Sequence, residues 1–353
     1  MKNLLIITQK VDENDDHRGF FIDWLKEFAK KFEKVSVITI AKGSYTLPEN
    51  IKIYSLGKEH GAFKIIQAMR FYWHLARLIP GSDGIFAHAS AIFVIASWPF
   101  AFIYRKKIIL WYLHRSVTLR LKLAEKFCYK IVTSTRESLN FKSGKIVESG
   151  HGVDIEKFKF DRKFNDFGSG PIEILSVGRI SKIKNYETLI KAAQNLKDRG
   201  LMFKINIIGR PVMSYDFEYF EHLKKMVSDS GLKDFIEFTG FVPYSNIASY
   251  YKRADIFINL TPRGGIDKAV IEGMASGCIT FVSNDVFEKY FGNFSSFLIF
   301  KHGDASNLVD KILNVLKLPD EKVKEISSFF QESILTNHNL PDTISRISSL
   351  FNL

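Results

Sequence analysis

The chain holds 353 residues, 46% of them hydrophobic and 25% charged, with nine prolines and 22 glycines. That length accommodates two domains that each bury a full core, and that composition excludes a disordered, collagen-like or short disulfide-stapled chain. The net charge of +12 lies wholly in the first half: residues 1–165 carry 28 Lys and Arg against 16 Asp and Glu, whereas residues 166–353 carry 22 of each.

In chain order, the apolar run at 4–8 is too short for a secretory signal and suits a first buried strand. Residues 20–32 place Phe21, Trp24, Leu25, Phe28 and Phe32 at helical spacing, and residues 63–78 do the same with Ile66, Met69, Trp73 and Ala76. Short β-branched or aromatic runs at 35–40, 51–55, 84–88, 108–113 and 131–134 read as parallel strands buried on both faces. The stretch 84–104 nearly reaches the length of a membrane span. His88, Ser90, Ser97 and Pro99 interrupt it, so it reads as a strand followed by an apolar helix. Residues 161–170 resemble an interdomain linker. The pattern then restarts, with strands at 172–177, 204–208, 235–238, 256–260, 279–282 and 297–300 and helices at 186–197, 217–228, 247–253 and 268–276. Two Rossmann-like doubly wound domains in tandem are the simplest α/β architecture, and ligands of such sheets bind at the carboxyl ends of the strands, here in a cleft between the domains.

The segment 176–185, SVGRISKIKN, leaves a strand and enters a helix. Gly178 permits close backbone approach, Arg179 offers a bidentate fork, Lys184 a mobile charge, and Asn185 a helix cap. Together they suit a diphosphate, and the plainer reading is two solvated cations on a loop. In residues 259–280, Gly264 and Gly265 leave backbone amides free to face an anion. Glu272 lies in an otherwise apolar helix, where a carboxylate needs a partner. It could accept from a ribose diol, or be satisfied by backbone or by Lys268.

The Gly-Arg-x-x-x-x-Lys segment, Gly240-Phe-Val-Pro243, the Tyr251-x-x-Ala254-Asp255 lead-in and Glu272-x-Met274-Ala275-x-Gly277 together resemble the retaining glycosyltransferases of family 4, which have the GT-B fold. In the first half, His151-Gly152-Val153-Asp154 and His114-Arg115-Ser116 are similar to further elements of that family. The resemblance implies that Arg179 and Lys184 hold the donor diphosphate and stabilise it as leaving group, and that Glu272, the second Glu of an E-x7-E motif, binds the donor ribose. The first Glu of that motif falls at Gly264, and Asp267 could present a carboxylate from the same loop. Gly178, Gly209, Arg210, Val242, Gly265 and Lys268 complete the expected donor site. His114 is expected at the transferred sugar or a phosphate, its plainer roles being to cap the next helix or pair with a carbonyl. Gly19, behind the acidic loop 12–16, is expected near donor phosphates and acceptor.

The resemblance further implies a donor-binding domain at 171–335 and an acceptor-side domain at 1–165 completed by a last helix within 336–353. It implies sugar transfer from a nucleoside diphosphate to a hydroxyl of a glycan or lipid-linked acceptor, with retention and with no metal or other cofactor. The competing readings are a catalytically silent GT-B module and a GT-B nucleotide-sugar epimerase. Cys128 and Cys278, far apart in hydrophobic sequence, suit a reducing, cytoplasmic compartment and form no Cys-based metal site. The basic first half is expected to contact anionic membrane at the inner face of the cell membrane rather than nucleic acid, for which no reading motif is present.

Overall fold

The computed structural model describes residues 2–162, 167 and 170–352. Most of the linker reading at 161–170 therefore lies outside the described residues. The chain divides into two compact units: residues 1–154, 243–245 and 337–353, and residues 155–242 and 246–336.

The first unit runs β1 (Asn3–Val11), α1 (Phe21–Lys31), β2 (Lys34–Lys42), β3 (Ile51–Ser55), α2 (Lys64–Leu78), β4 (Gly84–His88), α3 (Ala91–Ile103), β5 (Lys107–Trp111), α4 (Leu119–Phe127), β6 (Lys130–Thr133) and β7 (Ile146–Glu148). Its seven strands are all parallel, in the order β3-β2-β1-β4-β5-β6-β7. Because side chains alternate along a strand, the apolar run of β1 serves both faces. Leu4 and Ile6 enter one core with Trp24, Phe28 and Phe86, while Leu5 and Ile7 enter the other with Phe71, Leu75, Val94 and Leu121. At the end of β4, His88 is fully buried, bonded through Nδ1 to Thr8 Oγ1 at 2.9 Å and stacked on Phe21 at 3.9 Å. The last helix, α13 (Leu340–Asn352), packs on α1, with Ile344, Ile347, Leu350 and Phe351 in the first core.

The second unit runs β8 (Ile172–Val177), α5 (Tyr186–Asp198), β9 (Phe203–Ile208), α6 (Ser214–Asp229), β10 (Ile236–Gly240), α7 (Ala248–Arg253), β11 (Ile256–Asn259), α8 (Lys268–Ala275) and β12 (Ile279–Val282). The shorter helices α9 (Glu288–Phe291) and α10 (Ser295–Leu298) follow, then α11 (Ala305–Val315) and α12 (Asp320–His338). Its five parallel strands are ordered β10-β9-β8-β11-β12. The strand order reverses between β8 and β11, so the connections leaving those two strands part from each other and open a crevice at their carboxyl ends.

Four expectations need correction. The run at 297–300 is not a strand: Ser295–Leu298 is helical and only Ile299 bridges Val282. The helix at 63–78 forms, but Ile66, Met69 and Trp73 face solvent while Phe71 and Leu75 fill the core. Asn185 stands at the start of α5 in the left-handed conformation, which Asn tolerates, and makes no side-chain cap. Arg162, read as linker, is an anchor within the second unit. Its guanidinium donates to the carbonyls of Tyr251, Ala254 and Ser276, which close α7 and α8. The stretch 84–104 is the expected strand and helix, and among the described residues no helix is long and apolar enough to cross a membrane.

Candidate functional site

Of the residues singled out in the second half, Gly178, Gly209, Lys184 and Asp267 meet at the crevice beside β8 and β11. Gly178 follows β8 directly, and a Cβ placed on it would lie 2.8 Å from Cε of Lys184. The absent side chain is what lets the lysine stem cross the strand end. Behind it, Gly209 has φ +145°, and a Cβ there would fall 1.9 Å from the Gly178 carbonyl oxygen. The amide of Gly178 donates to Ile208 O at 2.9 Å, that of Gly209 to Gly240 O at 2.8 Å, and that of Ile180 to Arg210 O at 3.1 Å. Three strand ends are thereby locked in register. The Tyr186 hydroxyl donates to Gly178 O at 3.0 Å, and burial, aided by the Asp267 charge, pushes its own ionisation up.

Lys184 crosses to the loop after β11. Its Nζ is ion-paired with Asp267 and lies 3.4 Å from Thr261 Oγ1. Asp267 also accepts from Asn259 Nδ2 at 3.0 Å and caps α8 through Ala269 N at 3.3 Å. Burial alone would raise its pKa, but Lys184 and these donors hold it below the ordinary carboxylate range. Arg179, by contrast, makes no hydrogen bond or ion pair among the described residues. The amides of Gly264 and Gly265 likewise have no partner there, while Gly265 O accepts from Asn284 Nδ2 at 3.2 Å. A guanidinium and two amides thus lie uncommitted after neighbouring strands, and donors of this kind suit an anion.

Glu272, 4% exposed in the apolar helix α8, is satisfied at both oxygens. Oε1 is paired with Lys268, and Oε2 lies 3.1 Å from the Tyr251 hydroxyl, which is also 3.1 Å from Ala269 O. Burial and then the Glu272 charge hold the Tyr251 pKa far above its usual value, so the hydroxyl keeps its proton for donation. A carboxylate has about four acceptor positions, so Glu272 retains capacity for a diol. Arg210 carries its guanidinium 5.2 Å over the Phe241 ring, and Val242 lies half-buried just beyond β10.

His114 and Gly19 belong to the first unit. His114 is exposed, and its Nδ1 accepts from Ser116 N at 3.1 Å, so that in the neutral ring Nε2 carries the proton. The next helix is capped by Thr118 instead, whose Oγ1 accepts from Leu121 N at 3.2 Å. Gly19 closes a tight turn, its amide donating to Asp15 O at 3.0 Å, where a Cβ would approach Glu13 O to 2.9 Å. The acidic loop before it is tied down by Lys10, which bridges Asp12 and Asp15 at 2.9 Å each. Sequence reasoning missed Asn259, Tyr186 and Arg162 as supports of the site. The polar Asn259 ending an apolar strand beside the loop was the available signal.

Residues 157–329 match the family described as "Glycosyl transferases group 1". The amylovoran biosynthesis glycosyltransferase AmsK of Erwinia amylovora is 36% identical over 131 residues, which cover 35% of this chain and 31% of that protein. The putative colanic acid biosynthesis glycosyltransferase WcaL of Salmonella typhimurium is 25% identical over 214 residues, or 58% of this chain and 50% of the relative. The chain thus spans no more than half the length of these curated relatives. In fold, it is similar to Anabaena HepE, solved in complex with UDP and glucose, with a TM-score of 0.76 at 14% identity and 100% of both chains covered. Sucrose-phosphate synthase from Thermosynechococcus elongatus gives a TM-score of 0.79 at 14% identity, covering 100% of this chain and 98% of that one. The match to the group 1 glycosyl transferases thus falls almost wholly in the second unit, within a chain whose two Rossmann-like domains have the GT-B fold.

Proposed function

We propose that the protein transfers a sugar from a nucleoside diphosphate to a hydroxyl of a glycan or lipid-linked acceptor, with retention at the anomeric carbon, in the synthesis of a cell-surface polysaccharide or glycolipid. What supports this reading is the ion pair of Lys184 with Asp267 across the switch point of one sheet, inside the segment that matches the group 1 family and that also holds Arg179, Gly264, Gly265 and Glu272. The names of the relatives, concerned with amylovoran and colanic acid, favour a polysaccharide product.

In this reading Glu272 accepts from the donor ribose, and the amides and the two cations face the diphosphate. The largest catalytic contribution is electrostatic, because the negative charge that grows on the departing diphosphate is complementary to these donors. Asp267 is committed to Lys184 and Glu272 to Lys268 and Tyr251. No carboxylate pair spaced for double displacement is identified, and in this reading the acceptor attacks on the face from which the diphosphate leaves, its proton passing to the leaving phosphate. Positive charge from Arg179 and Lys184 serves without a metal. His114, through its Nε2–H, donates to the transferred sugar from the first unit, and the protein works in the cytoplasm in peripheral contact with anionic membrane.

The test is thermal shift and slow donor hydrolysis across UDP-, GDP- and ADP-sugars, repeated with Arg179→Ala and Glu272→Ala. One nucleotide class is expected to stabilise the parent and neither variant. No shift with any nucleotide overturns the reading; binding without hydrolysis or transfer leaves a silent sugar-nucleotide module.

A further inference from the structure

The helix layer formed by α2, α3 and α4 covers one face of the first unit's sheet, and its outer side is not the polar surface such a layer normally shows. Among the described residues, every exposed large hydrophobic side chain of the first unit falls between residues 63 and 123. On α2, Ile65, Met69 and Trp73 recur at four-residue spacing on the solvent side, opposite Phe71 and Leu75 in the core. One helix thus has two apolar faces. Tyr72 stacks on Phe100 of α3 at 6.3 Å, which carries the surface to the end of α3, where Phe102 and Ile103 are each 69% exposed. There Trp98, Phe102, Ile103 and Phe127 line a pocket of about 490 Å³ whose polar wall is Arg105 and Lys106.

The charge of the same stretch is one-sided. Residues 61–132 hold eleven Lys and Arg against only Asp83 and Glu125, which accounts for most of the chain's excess of +12. Arg77 lies 5.3 Å over the Trp73 ring, and Arg105 and Lys106 come two and three residues after Ile103. A contiguous apolar surface is unfavourable in water and marks an interaction site. A protein partner would bury these cations and need acids to pair them. An anionic bilayer satisfies both features at once, with headgroup phosphates at the cations and the headgroup–acyl boundary at the apolar tips.

We propose that the α2–α3–α4 face of the first unit docks on an anionic phospholipid surface. Ile65, Met69, Trp73, Phe102 and Ile103 enter the boundary, and Arg77, Arg105 and Lys106 meet the phosphates. This gives the membrane contact proposed above a defined surface. It stands or falls apart from sugar transfer, since none of these residues belongs to the donor site.

The experiment is cosedimentation of the full chain with vesicles of phosphatidylcholine alone and of phosphatidylcholine mixed with phosphatidylglycerol. Binding is expected with the mixed vesicles only, and is expected to weaken as salt rises. Removing both cations in Arg105→Ser/Lys106→Ser is expected to weaken it roughly 25-fold, at about fivefold per charge. Met69→Ser/Trp73→Ser is expected to abolish it. Met69, Trp73 and Arg105 are exposed and Lys106 is half-buried, so circular dichroism and melting should match the parent, and a fault in one pair leaves the other as the test. Equal binding to both vesicle types, binding to neither, or undiminished binding by both folded variants overturns the proposal. So does self-association in sedimentation velocity that Met69→Ser/Trp73→Ser removes, since a second copy then covers the face.

Discussion

Lys184 and Asp267 are joined by an ion pair that ties the segment leaving β8 to the N-cap of α8, across the point where the strand order reverses. Asp267 is therefore a positioning residue for the lysine. Asp267→Ala is expected to weaken nucleotide binding about tenfold or more, the scale of a lost hydrogen bond to a charged group. It should also lower stability by about 1 kcal/mol through the missing cap. Isothermal titration with the preferred nucleotide and urea unfolding separate the two effects; unchanged affinity would show that Lys184 needs no anchor.

Gly178 and Gly209 should respond differently to the same added methyl group. At Gly209 the methyl meets a backbone carbonyl at 1.9 Å, so Gly209→Ala is expected to cost about 3 kcal/mol or more, with the strand ends forced apart. At Gly178 it meets the flexible end of Lys184, so Gly178→Ala is expected to melt near the parent temperature and yet lose donor affinity. Melting curves set beside nucleotide titrations would expose any reversal of that order.

Glu272 draws on two donors, and they can be removed singly. Tyr251→Phe deletes the hydroxyl 3.1 Å from Oε2 and is expected to cost about 1 kcal/mol. Lys268→Met leaves a nearly buried carboxylate without its cation and should cost more, about 3 kcal/mol. Chemical denaturation of both variants checks the ranking.

Arg162 satisfies three carbonyls at the ends of α7 and α8. Arg162→Ala is expected to destabilise the second unit by about 3 kcal/mol, and Arg162→Lys to recover only part of this because an ammonium lacks the planar fork. A variant as stable as the parent would show that water replaces the guanidinium at no cost.

His88 supplies a pH dependence in the first unit. Burial, with a smaller push from Arg18, lowers its pKa to about 3 from an ordinary 6.5. The folded state keeps the ring neutral while the unfolded chain protonates it, so its contribution is complete above pH 6.5 and is lost as pH falls towards 3. The loss runs at up to about 1.4 kcal/mol per pH unit. His88→Asn is expected to flatten the stability profile through that window, measured by urea unfolding at a series of pH values.

The two parallel sheets were legible where local pattern and tertiary role agree. The run Ile172–Val177 reads as a strand because it is apolar, rich in β-branched residues and stopped by Gly178. Phe297 to Phe300 misled because an apolar run of four does not distinguish a strand from a buried helical turn. The helix after His114 was expected but not delimited, because LRLKLAEKF buries only Leu121 and Ala124 and reads as a basic stretch. Met69 and Trp73 looked like core because a hydrophobic period gives spacing and not direction. Which side of α2 meets the sheet depends on Phe71 and Leu75, and on neighbours distant in sequence.

The placement of α13 bears on the order in which the protein is made. Phe351 lies against Gly84 and Phe32, so the core begun by the earliest strands receives its last side chains from residues synthesised at the other end. On the ribosome, the unit translated second has all its strands before the unit translated first has its covering helix. Until then the core under α1 lacks Ile344, Ile347, Leu350 and Phe351, and a premature stop anywhere before Leu340 leaves it so.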